Sequence, residues 1–374
     1  MKKRRRKTWI YFLLGIVVSF FYVLLIYENF FTHLNRGLNT VPFYVHIIYM
    51  FIALFFAIFA HEMGHLISFI KQGIKPKALY ALGIAFVNDN GLKIRFVPKF
   101  LLMIGGIVIP DHLSIQSKDE EEAMVHKFKR VLLAGPKASI IYGVLILLIW
   151  ILCLFTNIYW LNGFLFTVMV VTSIMTVLAI LSSKVSRAGM YGDFAAKKAF
   201  DKDKLFRLTY LIQLTTLIEH DKESMAYFWP SIVEMLETQH QAHSQLYTNL
   251  LGQYIYEVVF HGQIACLSIE KKMNSLIRNI PKTEDGLILY LNIIYYYEAL
   301  SDRTKVIRLL NNLNTAKFKV SDKVLTYYLR LTNHLLGFKD ETIFLSHPKN
   351  VHTSSYQWVY KPLNIQEELK GIVK

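Results

Sequence analysis

Four long apolar segments dominate the first half of the chain. They cover residues 9–27, 41–70, 132–155 and 160–183. At 1.5 Å per residue each is long enough to cross a hydrocarbon layer of about 30 Å. The pattern predicts four transmembrane helices. The first is expected to be an uncleaved anchor, because no cleavage pattern of small residues follows it.

The connection between the second and third segments shows the alternation of a β-hairpin. Its arms, residues 78–87 and 92–97, flank a turn that contains Asn90-Gly91, a strong tight-turn signal. We expect a hairpin over residues 78–97, followed around 105–111 by a re-entrant or interfacial segment. An exposed edge of the hairpin could hold an unwound polypeptide segment through main-chain hydrogen bonds. The alternative is a hairpin that merely lies at the membrane surface.

The second half of the chain has a different pattern. After Ser183 the hydropathy drops, and apolar residues recur at three- and four-residue spacing within short runs. Breakers such as His261-Gly262 separate these runs and predict helical hairpins. A tetratricopeptide-like array and a non-repeating bundle both fit. We therefore divide the chain into a membrane domain at 1–200 and an all-α domain at 201–374, which is expected to bind a protein partner.

Composition supports a membrane protein. The hydrophobic fraction is 53% and the mean hydropathy +0.33, too apolar for an ordinary soluble enzyme. Two cysteines exclude a disulfide scaffold and a multi-cysteine zinc module. The net charge of +15 does not indicate nucleic-acid binding, because six of the basic residues form Lys2–Lys7 and others lie in the connection between the second and third segments. The positive-inside rule places the N-terminus, that connection and the second half in the cytosol. A multi-pass protein of a bacterial plasma membrane is expected.

One motif in the second apolar segment carries chemistry: His61-Glu62-Met63-Gly64-His65. On a helix, His61 and His65 share one face and can bind one tetrahedral zinc ion, while Glu62 can act as general base toward the attacking water. Ionisable residues inside a membrane helix each cost a few kcal/mol unless they are partnered, so a functional site is favoured. Zinc needs a third ligand. The candidates are Asp111, His112, Glu120, Glu121, Glu122 and Asp193.

These residues resemble the site-2 protease family of intramembrane zinc metalloproteases. The resemblance covers roughly residues 41–200 and includes Ala134-Gly135-Pro136, at the start of a later membrane segment, and Gly192-Asp193, after the next one. It implies that His61, His65 and Asp193 bind one zinc ion. The family commonly has asparagine where this chain has Ser139, and glycine where it has Phe194.

The expected fold is mainly α. It combines a polytopic membrane helix bundle of about four transmembrane helices and a cytosolic β-hairpin loop with an all-α C-terminal domain of helical hairpins. The expected function is that of a zinc-dependent intramembrane endopeptidase, with Glu62 as the catalytic residue, acting on a membrane-anchored protein or peptide within the lipid bilayer.

Two alternatives remain at this point. The first is a membrane protease resembling the CAAX-processing enzymes, with a glutamate among Glu120–Glu122 as third ligand. The second is a non-catalytic membrane-anchored scaffold. For Asp193 itself, the alternative to a ligand is an N-cap of the helix that follows it.

Overall fold

The computed structural model describes residues 15–17, 19, 29–89, 91–96, 105–154, 156–187, 189–239, 244–315, 318–347 and 350. The predicted first transmembrane segment, residues 9–27, lies almost entirely outside these residues. The predicted spans at 41–70, 132–155 and 160–183 lie almost wholly within them.

From residue 29 onward, the described part of the membrane half contains four helices. They are α1 (Asn29–Asn39), α2 (Phe43–Lys71), α3 (Lys118–Cys153) and α4 (Tyr159–Ser182). Helices α2, α3 and α4 are long and apolar enough to cross a membrane. Helix α3 begins well before the predicted apolar segment, because Ser117 caps its N-terminus by accepting a hydrogen bond from the Glu120 N–H. Its first turns therefore extend beyond the apolar stretch as a polar helix.

The membrane helices pack through small residues. Ala53 and Ala57 of α2 are buried, whereas large apolar side chains such as Phe51 remain exposed on other sides of the helix. A Cβ atom at Gly64 would lie 2.6 Å from the carbonyl oxygen of Ala134. Helices α2 and α3 therefore meet backbone to backbone, as small residues allow in membranes. This contact brings the His61-to-His65 segment against α3.

The connection after α2 forms a four-stranded antiparallel sheet. Its strands are β1 (Pro76–Ala81), β2 (Ile84–Asn88), β3 (Leu92–Phe96) and β4 (Gly106–Pro110), in the order β3-β2-β1-β4. Two expectations are corrected here. The predicted first arm at 78–87 is two strands, and the segment around 105–111, expected to be re-entrant or interfacial, supplies the strand β4.

A tight turn at Leu82-Gly83 divides the predicted first arm. Both residues have positive φ, 41° and 82°, as a two-residue hairpin turn requires. Leucine is rare in that conformation, so no residue pattern predicts this turn. The turn is supported by the Gly83 N–H, which donates to the Tyr80 hydroxyl at 2.8 Å.

The sheet lies between the two halves of the chain. On one face Leu79 and Ala81 pack against Ile58 of α2. On the other face buried residues such as Tyr80 and Val87 contact Leu217 and Ile218 of the helical half. Strand β3 is one edge of the sheet and β4 is the other.

Helical hairpins follow α4. A small hairpin of β5 (Ser186–Arg187) and β6 (Met190–Tyr191) comes first. The helices after it are α5 (Asp193–Lys202), α6 (Lys204–Thr216), α7 (Lys222–Thr238), α8 (Gln245–His261), α9 (Leu267–Leu276, extended by the 3-10 turn Ile277–Asn279), α10 (Glu284–Ala299), α11 (Arg303–Thr315), α12 (Asp322–Leu335) and α13 (Thr342–Ser346). Helix α8 ends at the predicted breaker, where Gly262 adopts the left-handed conformation with φ of 69°.

The main hydrophobic core runs from the membrane half into the helical half. Phe128 of α3 packs against Phe69 of α2 and Tyr210 of α6, and Tyr210 in turn contacts Phe200 of α5. This single cluster contains buried residues as far apart in the chain as Phe69 and Leu336. The domain boundary at residue 200 stays a prediction, and the two halves share their core across it.

Ser224 links the segment after β4 to α7. Its hydroxyl accepts a hydrogen bond from the Ile115 N–H at 2.7 Å and donates one to Asp221. Both Ser224 and Ile115 are fully buried. We predict that Ser224→Ala, which leaves the Ile115 N–H without its partner, lowers the free energy of unfolding by about 1–3 kcal/mol.

The measurement is the thermal midpoint in detergent, together with hydrogen exchange of the Ile115 amide, which should become faster. Ser275→Ala is the matched control, because the Ser275 hydroxyl bonds only the Lys272 carbonyl on an exposed helix surface. Equal midpoints for the two variants would show that this hydrogen bond does not stabilise the junction.

Candidate metal centre

His61 and His65 lie one helical turn apart on α2, and their Nε2 atoms are 3.3 Å from each other. Helix α3 orients both rings. His65 Nδ1 lies 2.9 Å from the carbonyl oxygen of Val131, and His61 Nδ1 lies 2.8 Å from the Ser139 hydroxyl. A carbonyl oxygen can only accept, so His65 Nδ1 carries a proton and the Nε2 of the neutral ring presents a lone pair. Such partners on the far nitrogen are typical of metal-binding histidines.

The carboxylate of Asp193 lies beside the two imidazoles, although Asp193 comes after α4 in the chain. Its Oδ2 atom lies 3.3 Å from His61 Nε2 and 3.6 Å from His65 Nε2. Gly192 is the N-cap residue of α5 and Asp193 is its first helical residue, so the N-cap alternative for Asp193 is wrong. Burial by itself raises the pKa of Asp193, but the two imidazoles donate hydrogen bonds to the carboxylate when their Nε2 atoms are protonated, which outweighs burial and holds the pKa below its ordinary value. The side chain therefore stays an ionised carboxylate.

The three ligand atoms fit a tetrahedral zinc ion. Their separations of 3.3, 3.3 and 3.6 Å match the roughly 3.3–3.4 Å expected between ligands that each lie 2.0–2.1 Å from zinc. Direct charge-assisted hydrogen bonds would be shorter, about 2.7–2.9 Å. Two imidazoles and a carboxylate also form a common ligand set for catalytic zinc.

Gly135 leaves the space that this centre needs. A Cβ atom at residue 135 would overlap His65 Nε2 and would lie 2.7 Å from His61 Nε2. The backbone of α3 thus closes one side of the ligand triangle, and a larger residue would occupy the position of the metal. The Ala134-Gly135-Pro136 motif has a steric reason here.

Ser139 lies one turn further along α3 and has a role that the sequence did not reveal. It stands where the resembling family commonly has asparagine, and it is 5% exposed. Its hydroxyl bonds His61 Nδ1, and its carbonyl oxygen accepts a hydrogen bond from the Thr176 hydroxyl of α4 at 3.3 Å. Serine therefore provides a polar partner for the His61 ring.

Glu62 faces a cleft of about 610 Å³ that also contains His61 and Asp193. The glutamate is 6% exposed. The backbone of β4 lies directly against the Glu62 side chain, so closely that a Cβ atom at Gly106 would overlap it. Gly105 and Gly106 line the cleft together with apolar residues of α2 and α4. A buried carboxylate, two of the three candidate ligands and the start of a strand thus line one cavity.

The other candidate ligands lie elsewhere. Asp111 and His112 do not join the ligand cluster in the part of the chain that the structure describes. Glu121 and Glu122 each form an ion pair with Arg207, at 2.6 and 2.8 Å. Glu122 precedes Gly135 by 13 residues of α3, or about 20 Å of helix. The arrangement with a glutamate as third ligand therefore has no geometric support.

A second group of possible ligands, His220, Glu257 and His261, was not predicted. His220 Nε2 lies 2.8 Å from Glu257 Oε1, but the rings of His220 and His261 are stacked 3.7 Å apart at an angle of 9°. A ring lone pair lies in the ring plane, so two parallel rings cannot both direct one at a single ion. Among the described residues, the centre at His61, His65 and Asp193 is the one with zinc geometry.

We predict that Gly135→Ala abolishes zinc binding, because the added methyl group occupies the space between the two Nε2 atoms. Zinc per purified chain, measured by elemental analysis, should fall to background. Gly143→Ala on the same helix is the control, since its methyl group meets only the end of the Thr176 side chain, at 3.1 Å. Wild-type zinc content in the Gly135 variant would contradict this geometry.

A second prediction concerns Ser139. Ser139→Ala removes the hydrogen-bond partner of His61 and should weaken zinc affinity about 10–100-fold, the usual effect of losing an outer-shell partner. Ser139→Asn should retain most of the affinity, because an amide oxygen can replace the hydroxyl. Competition with a zinc chelator gives both values. Equal affinities for the alanine variant and the wild type would rule out this positioning role.

Comparison with known proteins agrees with this geometry. The chain matches the profile of peptidase family M50 over residues 49–354, most of its length. The searches of curated proteins and of solved structures returned no significant match. The matched range includes the histidine motif, Gly135, Asp193 and most of the helical half, and it argues against the non-catalytic scaffold. The chain therefore belongs to peptidase family M50, the site-2 protease family, and is a membrane metalloprotease.

Proposed function

We propose that this protein is an intramembrane endopeptidase that cleaves membrane-embedded or membrane-associated peptides near the cytosolic face. In this proposal His61, His65 and Asp193 hold one zinc ion per chain, and Glu62 is the general base. The observation that carries it is the ligand triangle at tetrahedral spacing. His61 and His65 lie on a membrane-spanning helix, and His61 and Asp193 line the same cleft as the buried Glu62.

Each residue has a distinct part in the reaction. Bound zinc lowers the pKa of a water molecule and polarises a carbonyl group. Glu62 removes a proton from the attacking water and passes it to the leaving amine. Because Gly106 leaves no space beside it, the Glu62 carboxylate is held toward the cleft. Ser139 and Val131 fix the two imidazole rings, so the ligands need little rearrangement.

The substrate must be unwound before cleavage, because the helical backbone shields its own peptide bonds. Strand β4 offers a place to hold it. Among the described residues, β4 pairs only with β1 and has its other edge free, and its first residue lines the cleft. An extended segment of substrate adds to this edge through main-chain hydrogen bonds. The edge β3 lies three strands away, about 14 Å from β4, and is too far from Glu62 for this role.

The orientation follows from the basic residues. They cluster before the first apolar segment and in the connection between α2 and α3. By the positive-inside rule this supports a multi-pass protein of a bacterial plasma membrane, with this connection, the helical half and both termini in the cytosol. His61 precedes Lys71, the last residue of α2, by ten residues, or about 15 Å. Cleavage then occurs in the cytosolic part of the bilayer.

We predict that Glu62→Gln abolishes proteolysis and keeps zinc, because the amide cannot accept the proton although the three ligands are intact. Asp193→Ala should lose both zinc and proteolysis. The measurement compares membrane peptides from cells that carry wild type or Glu62→Gln. Uncut substrate should accumulate in the variant, and zinc content of each purified protein should be determined in parallel.

Glu122→Gln serves as the control, because Glu122 binds Arg207 at the far end of α3. It should retain zinc and proteolysis. Identical membrane peptides in wild-type and Glu62→Gln cells would exclude the proposed reaction, and zinc retained in Asp193→Ala would exclude the proposed third ligand.

A further inference from the structure

A second concave surface lies on the helical half, between α6, α8 and α10. It encloses about 580 Å³ and is lined mainly by amide and hydroxyl side chains. We call it the amide groove. Gln213 of α6, Gln245, Asn249 and Gln253 of α8, and Asn292 of α10 supply its amide groups. The catalytic centre uses none of them.

The lining of the amide groove suits a polypeptide main chain. Each amide side chain offers donors and an acceptor, and each residue of an extended peptide needs one of each. Asp285 is the one carboxylate among the lining residues, so the groove carries little charge with which to select charged side chains. Thr209 is 7% exposed and lines the groove, and its hydroxyl oxygen has no hydrogen-bond partner among the described residues. The groove is therefore lined by polar groups that carry little net charge.

Gly252 lines the groove, although packing inside the protein does not require a glycine there. Gly252 lies in the middle of α8, where glycine costs about 1 kcal/mol relative to alanine. A Cβ atom at this position would meet no other atom within 4 Å, so packing inside the protein does not require glycine. A bare helix surface permits close approach of another backbone.

The amide groove lies next to the catalytic cleft. The hairpin β5–β6 starts from Val185 and Gly192, which line the cleft and are joined by a hydrogen bond of 2.9 Å. Its turn contains Gly189, where a Cβ atom would lie 2.5 Å from Cβ of Gln245, at one end of the groove. Because each strand has two residues, the hairpin extends about 10 Å from Val185 and Gly192 to its turn. One short hairpin therefore separates the two cavities.

We infer that the amide groove binds the extended segment of the substrate that leaves the catalytic cleft on the side of the helical half. This inference rests on the proposed function. About three extended residues cross the hairpin, and about four more cover the distance from Gln245 to Gln253 along α8. The substrate class is thus a membrane polypeptide with an extended, largely uncharged segment of about seven or more residues on that side of the membrane.

The test uses Gly252→Leu, which fills the floor of the groove without touching the catalytic centre. The probe is the membrane peptide that accumulates in Glu62→Gln cells, synthesised in full and with its segment on the helical-domain side trimmed to about two residues. Cleavage is measured with the full-length protein in detergent. For the full substrate, Gly252→Leu should raise KM about tenfold and leave kcat within about twofold, because binding energy outside the reacting bond is lost.

The trimmed substrate completes a double-mutant cycle, in which the enzyme and the substrate are altered separately and together. With the trimmed substrate, the wild-type enzyme should show a KM about as high as Gly252→Leu shows with the full substrate. Gly252→Leu should not raise the KM of the trimmed substrate further, because both alterations remove the same interaction with the groove. Gly252→Ala is the matched control. It favours the helix but leaves the groove open, so its KM for the full substrate should stay near the wild-type value. Zinc content and the thermal midpoint should be unchanged in both variants.

Each outcome separates the two proposals. If wild-type and Glu62→Gln cells contain the same membrane peptides, the proposed function is wrong, and the groove proposal, which rests on it, is wrong as well. If wild type cleaves the full and the trimmed substrates with equal KM, or Gly252→Leu leaves KM unchanged, the groove proposal alone is wrong. A fall of kcat for both substrates in Gly252→Leu would indicate a structural role or a different macromolecule in the groove, and would also overturn it.

Discussion

The direct contact between the backbones of α2 and α3 is the constraint on which the metal centre depends. Gly64 on α2 and Gly135 on α3 both lie at this contact, and neither has space for a methyl group. The close approach puts Val131 and Ser139 within hydrogen-bond distance of the two imidazoles. A wider spacing would leave both rings free to rotate. The glycines are therefore as necessary to the site as its ligands.

The proposed third ligand, Asp193, makes the metal centre dependent on the helical half. Gly192 lies so close to the end of α4 that a side chain there would overlap the Ser182 carbonyl oxygen, and this contact fixes the start of α5. Tyr210 of α6 packs against Phe200 of α5. Burial, together with the nearby Asp193 carboxylate, raises the pKa of Tyr210 to about 12. The hydroxyl stays neutral, so no second charge competes with the ligand. The shared core explains how helices that follow the membrane-spanning segments can position a proposed ligand of the metal centre.

The parts of this architecture differ in how far the sequence predicts them. His61, Glu62 and His65 form a local pattern, because four residues of helix fix their relation whatever the fold. Asp193 lies 128 residues from His65, and only the order of family motifs pointed to it. The turn at Leu82 and the hydrogen bond of Ser139 left no sequence signal, because each depends on tertiary neighbours. Strand β4 was missed for the same reason: without its partner β1, its apolar sequence resembles an interfacial segment.

Substrate choice poses a problem that the catalytic cleft alone does not solve. Its apolar walls meet substrates that are themselves apolar, and a hydrophobic pocket discriminates by only about 1–3 kcal/mol per methylene. Binding a second segment of the same polypeptide outside the bilayer adds selectivity without altering the zinc site, because tethering makes the second contact intramolecular. The amide groove, one hairpin away from the cleft, is placed to do this. A long helical half that shares its hydrophobic core with the membrane helices is then part of substrate recognition, because the cluster that contains Phe69 and Leu336 connects the two sites.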